Sequence, residues 1–570
     1  MLCADKFGND CWVPYHTSML AFPAFNEMGT LGVRVDRERI DELTDLFIQG
    51  REQKLAQLRE ELNWPDFNPR SQPHCVEMLF GEKYAPKIDK NTGQRVSVRP
   101  PGAISLRLPP IKATGKRGAP WPRVIERREE HLHTPCTDKE VCGILSAMHE
   151  TARTLRDTKL LDHVLKSVLR PPTLEVDHND EDGSSIVCDA SGNRVYAGGI
   201  AAYIGCDNRV RSHFTQHKET GRGGSARPPL QNLGNRREDD YKRILGPLYK
   251  HKIRSFIVSN DGKDGREKTL FIEADLAGAE LLAMAVLSRD QKMIEHCQRA
   301  ILPDGHPDQY DIHSQIAVRA FNLQCEPTKK GIEDIGRKGM RVAAKNIIFG
   351  IGYGRAAEAC ARQAQEEGHQ VSTADAQAVI NEIFAMYPGI PPLQERLRER
   401  VYKPGWIRTC FGRLRRFIAA DDEKVNGELE RQALNFPMQS AVADAMSLAL
   451  HHLYTHPRRR ELGYSIVLQI HDAVVLEVPV RSVDAVYNEI LPECMTQRVV
   501  FKACDLDGRP YKDSPDYRFG IDRKVCYRWG EGLTHSVCDA FGVDRVYGKP
   551  DRSPLPPMPT QQRCARRLVV

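Results

Sequence analysis

The sequence predicts a mixed α/β (α+β) protein of more than one domain, and three observations carry that expectation. The chain has 570 residues, too many for one simple domain and suited to two to four. Long stretches with helical apolar spacing dominate it, and between them lie isolated apolar strands, two of which pair across a tight turn near residue 471. I-V-L-Q-I (466–470) and V-V-L-E-V (474–478) flank His471-Asp472-Ala473 as a hairpin would.

Hydrophobic residues make up 41% of the chain and mean hydropathy is −0.49, which suits packed cores in water. The formal charge of +6 is mild for this length, so nucleic-acid binding is permitted but not argued by net charge alone. Met1 to Lys6 lacks a basic segment followed by a long apolar run, and no stretch of about 18 apolar residues occurs. The expectation is a protein without a membrane span, in the cytoplasm. The sixteen cysteines are scattered and suit reduced thiols. His131-x-His133-x-x-Cys136 is the tightest candidate zinc cluster; it lacks a second half nearby and reads as a polar loop.

Residues 1–25 have weak pattern. From Val35 to Leu62 a helix is expected, with Asp36 as N-cap and Ile40, Leu43, Phe47, Leu55, Leu58 and Leu62 near helical spacing. Residues 95–128 hold nine Lys or Arg, one acid and six prolines, reading as a basic loop or a solvated linker. A second helical stretch runs from Asp138 to Leu169, stopped by Pro171 and Pro172. Short strands are expected within 185–215. The pattern fades after Trp529, and four prolines from Pro554 to Pro559 mark a flexible tail.

Two aspartates stand out. Thr269 to Asp275 reads as a buried strand ending at an acid, followed by a helix from Gly278 to Leu287 with Glu280 in its first turns. Asp472 sits at the hairpin turn. Two semi-buried acids side by side repel unless cations lie between them. Magnesium fits: it binds through one or two carboxylates plus substrate phosphates, and two such ions clamp an in-line displacement. Between the two acids runs the sharpest feature of the chain, a basic helix in which Arg341, Lys345, Phe349 and Tyr353 recur every fourth residue. They drift by about 40° per step and so share one broad face. Two cations followed by two aromatics suit a nucleoside triphosphate, cations to phosphates and rings to bases.

These segments resemble the named motifs of family A DNA polymerases. Asp275-Leu276-Ala277-Gly278-Ala279-Glu280-Leu281 resembles motif A, Arg341-x3-Lys345-x3-Phe349-x3-Tyr353-Gly354 motif B, and His471-Asp472 motif C. Thr220-Gly221-Arg222 with Pro228 to Asn232, Asp311-Ile312-His313, Gly405 to Arg413, and Arg431 to Gln439 agree in the family's order. The resemblance is strong over 205–530 and weaker over 25–170. It implies a right-hand polymerase with an antiparallel-sheet palm, helical fingers and a helical thumb. The divisions expected are a lead segment 1–25, a thumb-like region 26–204 carrying the basic insertion, palm 205–290, fingers 291–425, palm again 426–531, and a tail 532–570.

The resemblance further implies that Asp275 and Asp472 hold two Mg²⁺ ions and that the primer 3′-hydroxyl attacks the α-phosphate of a dNTP. Arg341, Lys345 and His313 would grip the triphosphate, Phe349 would stack on the incoming nucleotide, and Tyr353 would fill the template-base slot. Glu280 would exclude a 2′-hydroxyl. Arg222, Gln231, Asn232, Arg431, Asn435, Gln439 and His471 would lie along primer–template DNA. The sequence departs from the family at Leu276, Ala277 and Gly278, where polar residues are common, and at Ala473, where many members have glutamate. The chain starts almost at the thumb, so proofreading is expected from a separate polypeptide, and the partners expected besides DNA and dNTPs are an exonuclease or a processivity partner. The competing readings are a single-subunit RNA polymerase or reverse transcriptase, and a catalytically weakened primer–template-binding protein.

Overall fold

The computed structural model describes residues 12–84, 87–88, 95–111, 135–169, 196, 198–216, 218–233, 237–302, 306–366 and 371–543. The fold is α+β, as expected from the sequence.

The first helix among the described residues is α1 (Trp12–Leu31), where the sequence reading leaves a lead segment. Pro14 and Pro23 obscure it, yet Ala21, Ala24, Phe25 and Met28 are spaced to bury one stripe and do so. Helix α2 (Arg37–Glu61) is capped as expected, the Asp36 side chain accepting from the Arg39 amide. Helix α3 (Gln72–Phe80) follows a Ser71 cap. The single helix expected from Asp138 is two, α4 (Lys139–Met148) and α5 (Glu150–Ser167). His149 takes extended dihedrals (φ −148°, ψ 137°) and its ring accepts from the Thr151 amide, ending one helix and capping the next. Helices α2 and α5 pack together, and Leu58, Leu79, Val141, Leu145 and Leu155 lie in one apolar cluster with Trp64 and Phe67.

The described part of the basic proline-rich segment, 95–111, is strapped to this helical unit. The carboxylate of Glu77, wholly buried on α3, accepts from the Ser97 hydroxyl and from the amides of Val98 (2.8 Å) and Arg99 (3.1 Å). The amides of Ile104, Leu106 and Leu108 donate to Leu62, Met78 and Leu79 carbonyls at 2.7–2.8 Å.

The second unit is built around a four-stranded antiparallel sheet in the order β2-β3-β1-β4, where β1 is Thr269–Ala277, β2 Ser465–Ile470, β3 Ala473–Pro479 and β4 Gly520–Cys526. Strand β1 runs two residues beyond the acid at which the sequence ends it. Helix α6 (Ala279–Ser288) and the 32-residue α10 (Glu423–Tyr454) pack on each other, and α10 also lies against α1. Between them in sequence come α7 (Ile312–Ala320), α8 (Lys338–Gly352) and α9 (Ala357–Glu366). One large apolar cluster joins β1, α6, α8 and α10 through residues such as Leu276, Met284, Ile347, Ile351 and Met438. Helix α9 also packs on α4, with Arg362 and Glu140 paired at 3.5 Å.

Among the described residues, no helix is long and apolar enough to cross a membrane. A short helix, His535–Phe541, lies in the segment expected as tail; Pro554 to Pro559, His131, His133 and Asp189 to Asn193 lie outside the described residues.

Candidate active site

The sheet brings the two acids together. Strand β3 pairs with β1 in the register Ala473 opposite Asp275, so Asp472, the last turn residue before β3, flanks Asp275 directly. The Leu276 amide donates to the Asp472 carbonyl at 3.0 Å. On the other side Asp275 faces Asp522 of β4. The turn is tight, with His471 at φ +53°. Asp275 is exposed to solvent, while the sheet beneath and three neighbouring acids crowd it. Burial, then the charges of Asp472, Glu273 and Asp522, push its carboxyl up to about 7. Burial pushes Asp472 up to about 6; Arg222 pulls against this and Glu280 adds to it.

Such a pair is short of positive charge. Among the described residues no three His, Cys, Asp or Glu side chains converge as a ligand set. Two carboxylates with open space on one side suit a hard cation that takes its other ligands from water and phosphate oxygen, as Mg²⁺ does. A cation there would offset the repulsion that raises both pKa values.

Local structure accounts for two of the departures near Asp275, Leu276 and Gly278. Leu276 is 4% exposed and packs into the core, so its apolar side chain suits its inward face. Gly278 is the α6 N-cap in the left-handed region (φ +57°), a conformation that favours glycine.

A chain of hydrogen bonds and ion pairs leads from the end of α8 to Asp472. The Tyr353 hydroxyl donates to Glu280 on α6, and Arg222 pairs with the other Glu280 oxygen and reaches Asp472 at 3.8 Å. Gln439 on α10 also bonds to Tyr353. Tyr353, Glu280 and Phe349 line a small pocket with Met284, Gly352 and Met438. Further up α8, Arg341 binds Asp311 through two nitrogens (2.8 and 3.0 Å) and meets the Ser314 hydroxyl at 2.8 Å, thereby holding the first turn of α7. Lys345 is the exposed cation of the face. His313 tilts against Phe349 with ring centroids 6.0 Å apart. Burial and the neighbouring charges of Lys345 and Arg341 hold its pKa down at about 3, so it is neutral.

The remaining sequence candidates divide. His471 and Asn232 are exposed, and Arg431 is exposed with its guanidinium on Glu428 of its own helix. Asn435 has a buried Oδ1 that accepts no hydrogen bond. Gln231 is 6% exposed and is bound to Gln469. Sequence reasoning missed Gln469, a polar residue inside an apolar strand two places before His471. It also missed the buried pair Arg413–Asp444, joined at 2.6 Å, whose guanidinium lies where a Cβ at Gly221 would be.

The family model described as DNA polymerase family A matches residues 192–507. DNA polymerase I of Lactococcus lactis subsp. cremoris is 27% identical over 326 residues, 56% of this chain and 33% of the relative. The thermostable DNA polymerase I of Thermus aquaticus is 32% identical over 282 residues, 49% of this chain and 29% of the relative. The chain therefore spans about a third of the length of these curated relatives. A solved structure, the POL domain of Pol1 from M. smegmatis in complex with DNA primer-template and dNTP, shares the fold with a TM-score of 0.59 and 19% identity, covering 90% of this chain and 70% of that one. With more than half of its residues matched by the family model, this chain belongs to DNA polymerase family A.

Proposed function

We propose that the chain is a template-directed DNA polymerase that adds dNTPs to a primer 3′-hydroxyl, with Asp275 and Asp472 holding two Mg²⁺ ions. The observation that carries the reading is the strand register that sets these acids side by side, at one end of the Tyr353–Glu280–Arg222–Asp472 chain of contacts. The ions would supply Lewis acidity that eases deprotonation of the 3′-hydroxyl and offsets charge on the departing pyrophosphate. In this reading the sheet unit is the palm, α7 to α9 belong to the fingers, and α2 to α5 form the thumb.

The chain's own groups bind and orient. Lys345 meets the triphosphate as a point charge, with Arg341 beside it once Asp311 yields. His313, being neutral, contributes a hydrogen bond and no charge. Phe349 stacks on the incoming base. Tyr353 holds the template-base slot while its hydroxyl is on Glu280, and Glu280 crowds the sugar 2′ position. Asn435, with its unpartnered oxygen, Gln439, Arg222, Arg431, Asn232 and His471 line the duplex, where polar contacts to minor-groove acceptors test pair shape without reading sequence.

Primer extension tests the proposal. The wild-type chain extends a primed template with dNTPs and Mg²⁺ but not with NTPs, and Asp472→Asn abolishes extension while primer–template binding survives. Normal extension by Asp472→Asn defeats the acid assignment, and equal use of NTPs defeats the role of Glu280. Primers that are bound but never extended by the wild type would instead favour a weakened binding protein.

A further inference from the structure

Gln231 belongs to a short turn, Leu230–Asn232, that precedes the sheet by almost forty residues, and Gln469 lies inside strand β2. Both side chains are buried, at 6% and 2% exposure. The Gln231 Nε2 donates to the Gln469 Oε1 at 3.1 Å and to the Gln469 backbone carbonyl at 3.0 Å. The Gln469 Nε2 in turn donates to the backbone carbonyl of His471. That acceptor fixes which end of the Gln469 amide faces the turn, because only the NH₂ end can meet a carbonyl. The Gln231 backbone is itself held, its amide donating to the Ser225 hydroxyl at 2.9 Å.

The turn so gripped is the one that carries Asp472. Its first residue, His471, stands at φ +53°, a costly conformation for a residue with a Cβ, so the turn needs outside bonds to keep it. The same amide supports Arg222: a Cβ at Gly223 would run into the Gln469 Oε1, so the loop Gly221–Gly223 rests on this side chain. Arg222 from that loop reaches both Glu280 and Asp472. One buried amide pair thus ties the Leu230–Asn232 turn to the two segments that meet at a single carboxylate, the His471–Asp472 turn and the Arg222 loop.

We infer that Gln231 and Gln469 are positioning residues for nucleotide addition, fixing the His471–Asp472 turn and the Arg222 loop, and that Gln231 does not read the duplex. The inference rests on the polymerase reading above. It departs from the sequence resemblance, which puts Gln231 on the DNA. A side chain whose donors are spent on Gln469 has none aimed at a groove.

The test is Gln231→Met and Gln469→Met, side chains of similar length without donors or acceptors. Each leaves buried partners unsatisfied next to Asp472. At saturating primer–template and dNTP, the extension rate falls about tenfold or more, and the Mg²⁺ concentration for half-maximal rate rises by about tenfold, the scale on which partners of metal ligands act. The primer–template Kd stays within about threefold of wild type, because no duplex contact is lost, whereas losing a groove contact would weaken it about tenfold. Circular dichroism and thermal melting confirm folding; if Gln469→Met does not fold, Gln231→Met, outside the sheet, decides alone. A tenfold weaker Kd with an unchanged Mg²⁺ midpoint overturns the inference, as does wild-type behaviour of folded Gln231→Met. Asp472→Asn separates the two levels: if it extends primers normally the acid assignment fails, and if it is dead while Gln231→Met is wild-type-like, only the positioning role fails.

Discussion

The raised carboxyls of Asp275 and Asp472 predict that divalent cations displace protons from the site, in a pH window set by the sheet geometry. With Asp275 near 7 and Asp472 near 6, the metal-free pair at pH 6 carries about 0.9 and about 0.5 of a proton, and at pH 8 about 0.1 in all. Because the groups interact, the release belongs to the pair. Cation binding needs both acids ionised, so it frees somewhat more than one proton at pH 6 and almost none at pH 8. The assay is calorimetric titration of Mn²⁺ or Mg²⁺ into the protein at both pH values, in two buffers of different ionisation enthalpy. Asp275→Asn is expected to release at most about half a proton at pH 6, from Asp472 alone. The linkage sign is unusual for carboxylates. Both folded-state pKa values lie above the ordinary aspartate value, so the folded state holds more protons, and the pair's contribution to metal-free stability falls as pH rises from about 4 through about 7. Bound cation removes that slope. Equal proton release at pH 6 and pH 8, or none at pH 6, refutes the reasoning.

Other outcomes follow from the same structure. Arg413→Met leaves the wholly buried Asp444 without its counter-charge and is expected to cost about 3–5 kcal/mol in urea unfolding, most of it recovered in the double variant Arg413→Met/Asp444→Leu. Additive single effects would contradict this. Lys345→Ala raises the KM for dNTP by about tenfold or more and leaves primer–template Kd unchanged, since Lys345 is the exposed cation of its face; the reverse pattern places the face on the duplex. Glu280→Ala is expected to relax discrimination against NTPs, measured as the ratio of kcat/KM values, because it removes the carboxylate between Tyr353 and Arg222. Glu77→Ala frees Ser97, Val98 and Arg99 from α3, so limited proteolysis is expected to cut within 95–111 at protease concentrations that spare the wild type.

Much of this was legible because it rests on local pattern. The Asp36 cap and the apolar spacing to Leu58 mark α2, and the apolar runs on either side of His471-Asp472 mark the hairpin. What escaped depends on contacts distant in sequence. Strand β4 hides behind Asp522, Arg523 and Lys524, charges that the sheet edge tolerates and a pattern search rejects. The break at His149 carries no glycine or proline to announce it. Among the site residues, the four-residue spacing on α8 pointed to one face, but it could not reveal that Arg341 is already held by Asp311 or that His313 is kept neutral. Gln231 could be recognised from its neighbours in sequence, yet its partner lies 238 residues away, and that partner decides what its donors do.

The packing of α4 on α9, with Glu140 against Arg362, ties the two arms of the molecule into one mechanical train. Helix α9 also leans on α8, and α4 on α5. If α8 shifts on taking up a triphosphate, as the proposed function has it, the motion would be passed to the N-terminal helices or would strain the part-exposed Arg362–Glu140 ion pair, which added salt loosens. Ionic strength thereby becomes a dial on how far one arm feels the other.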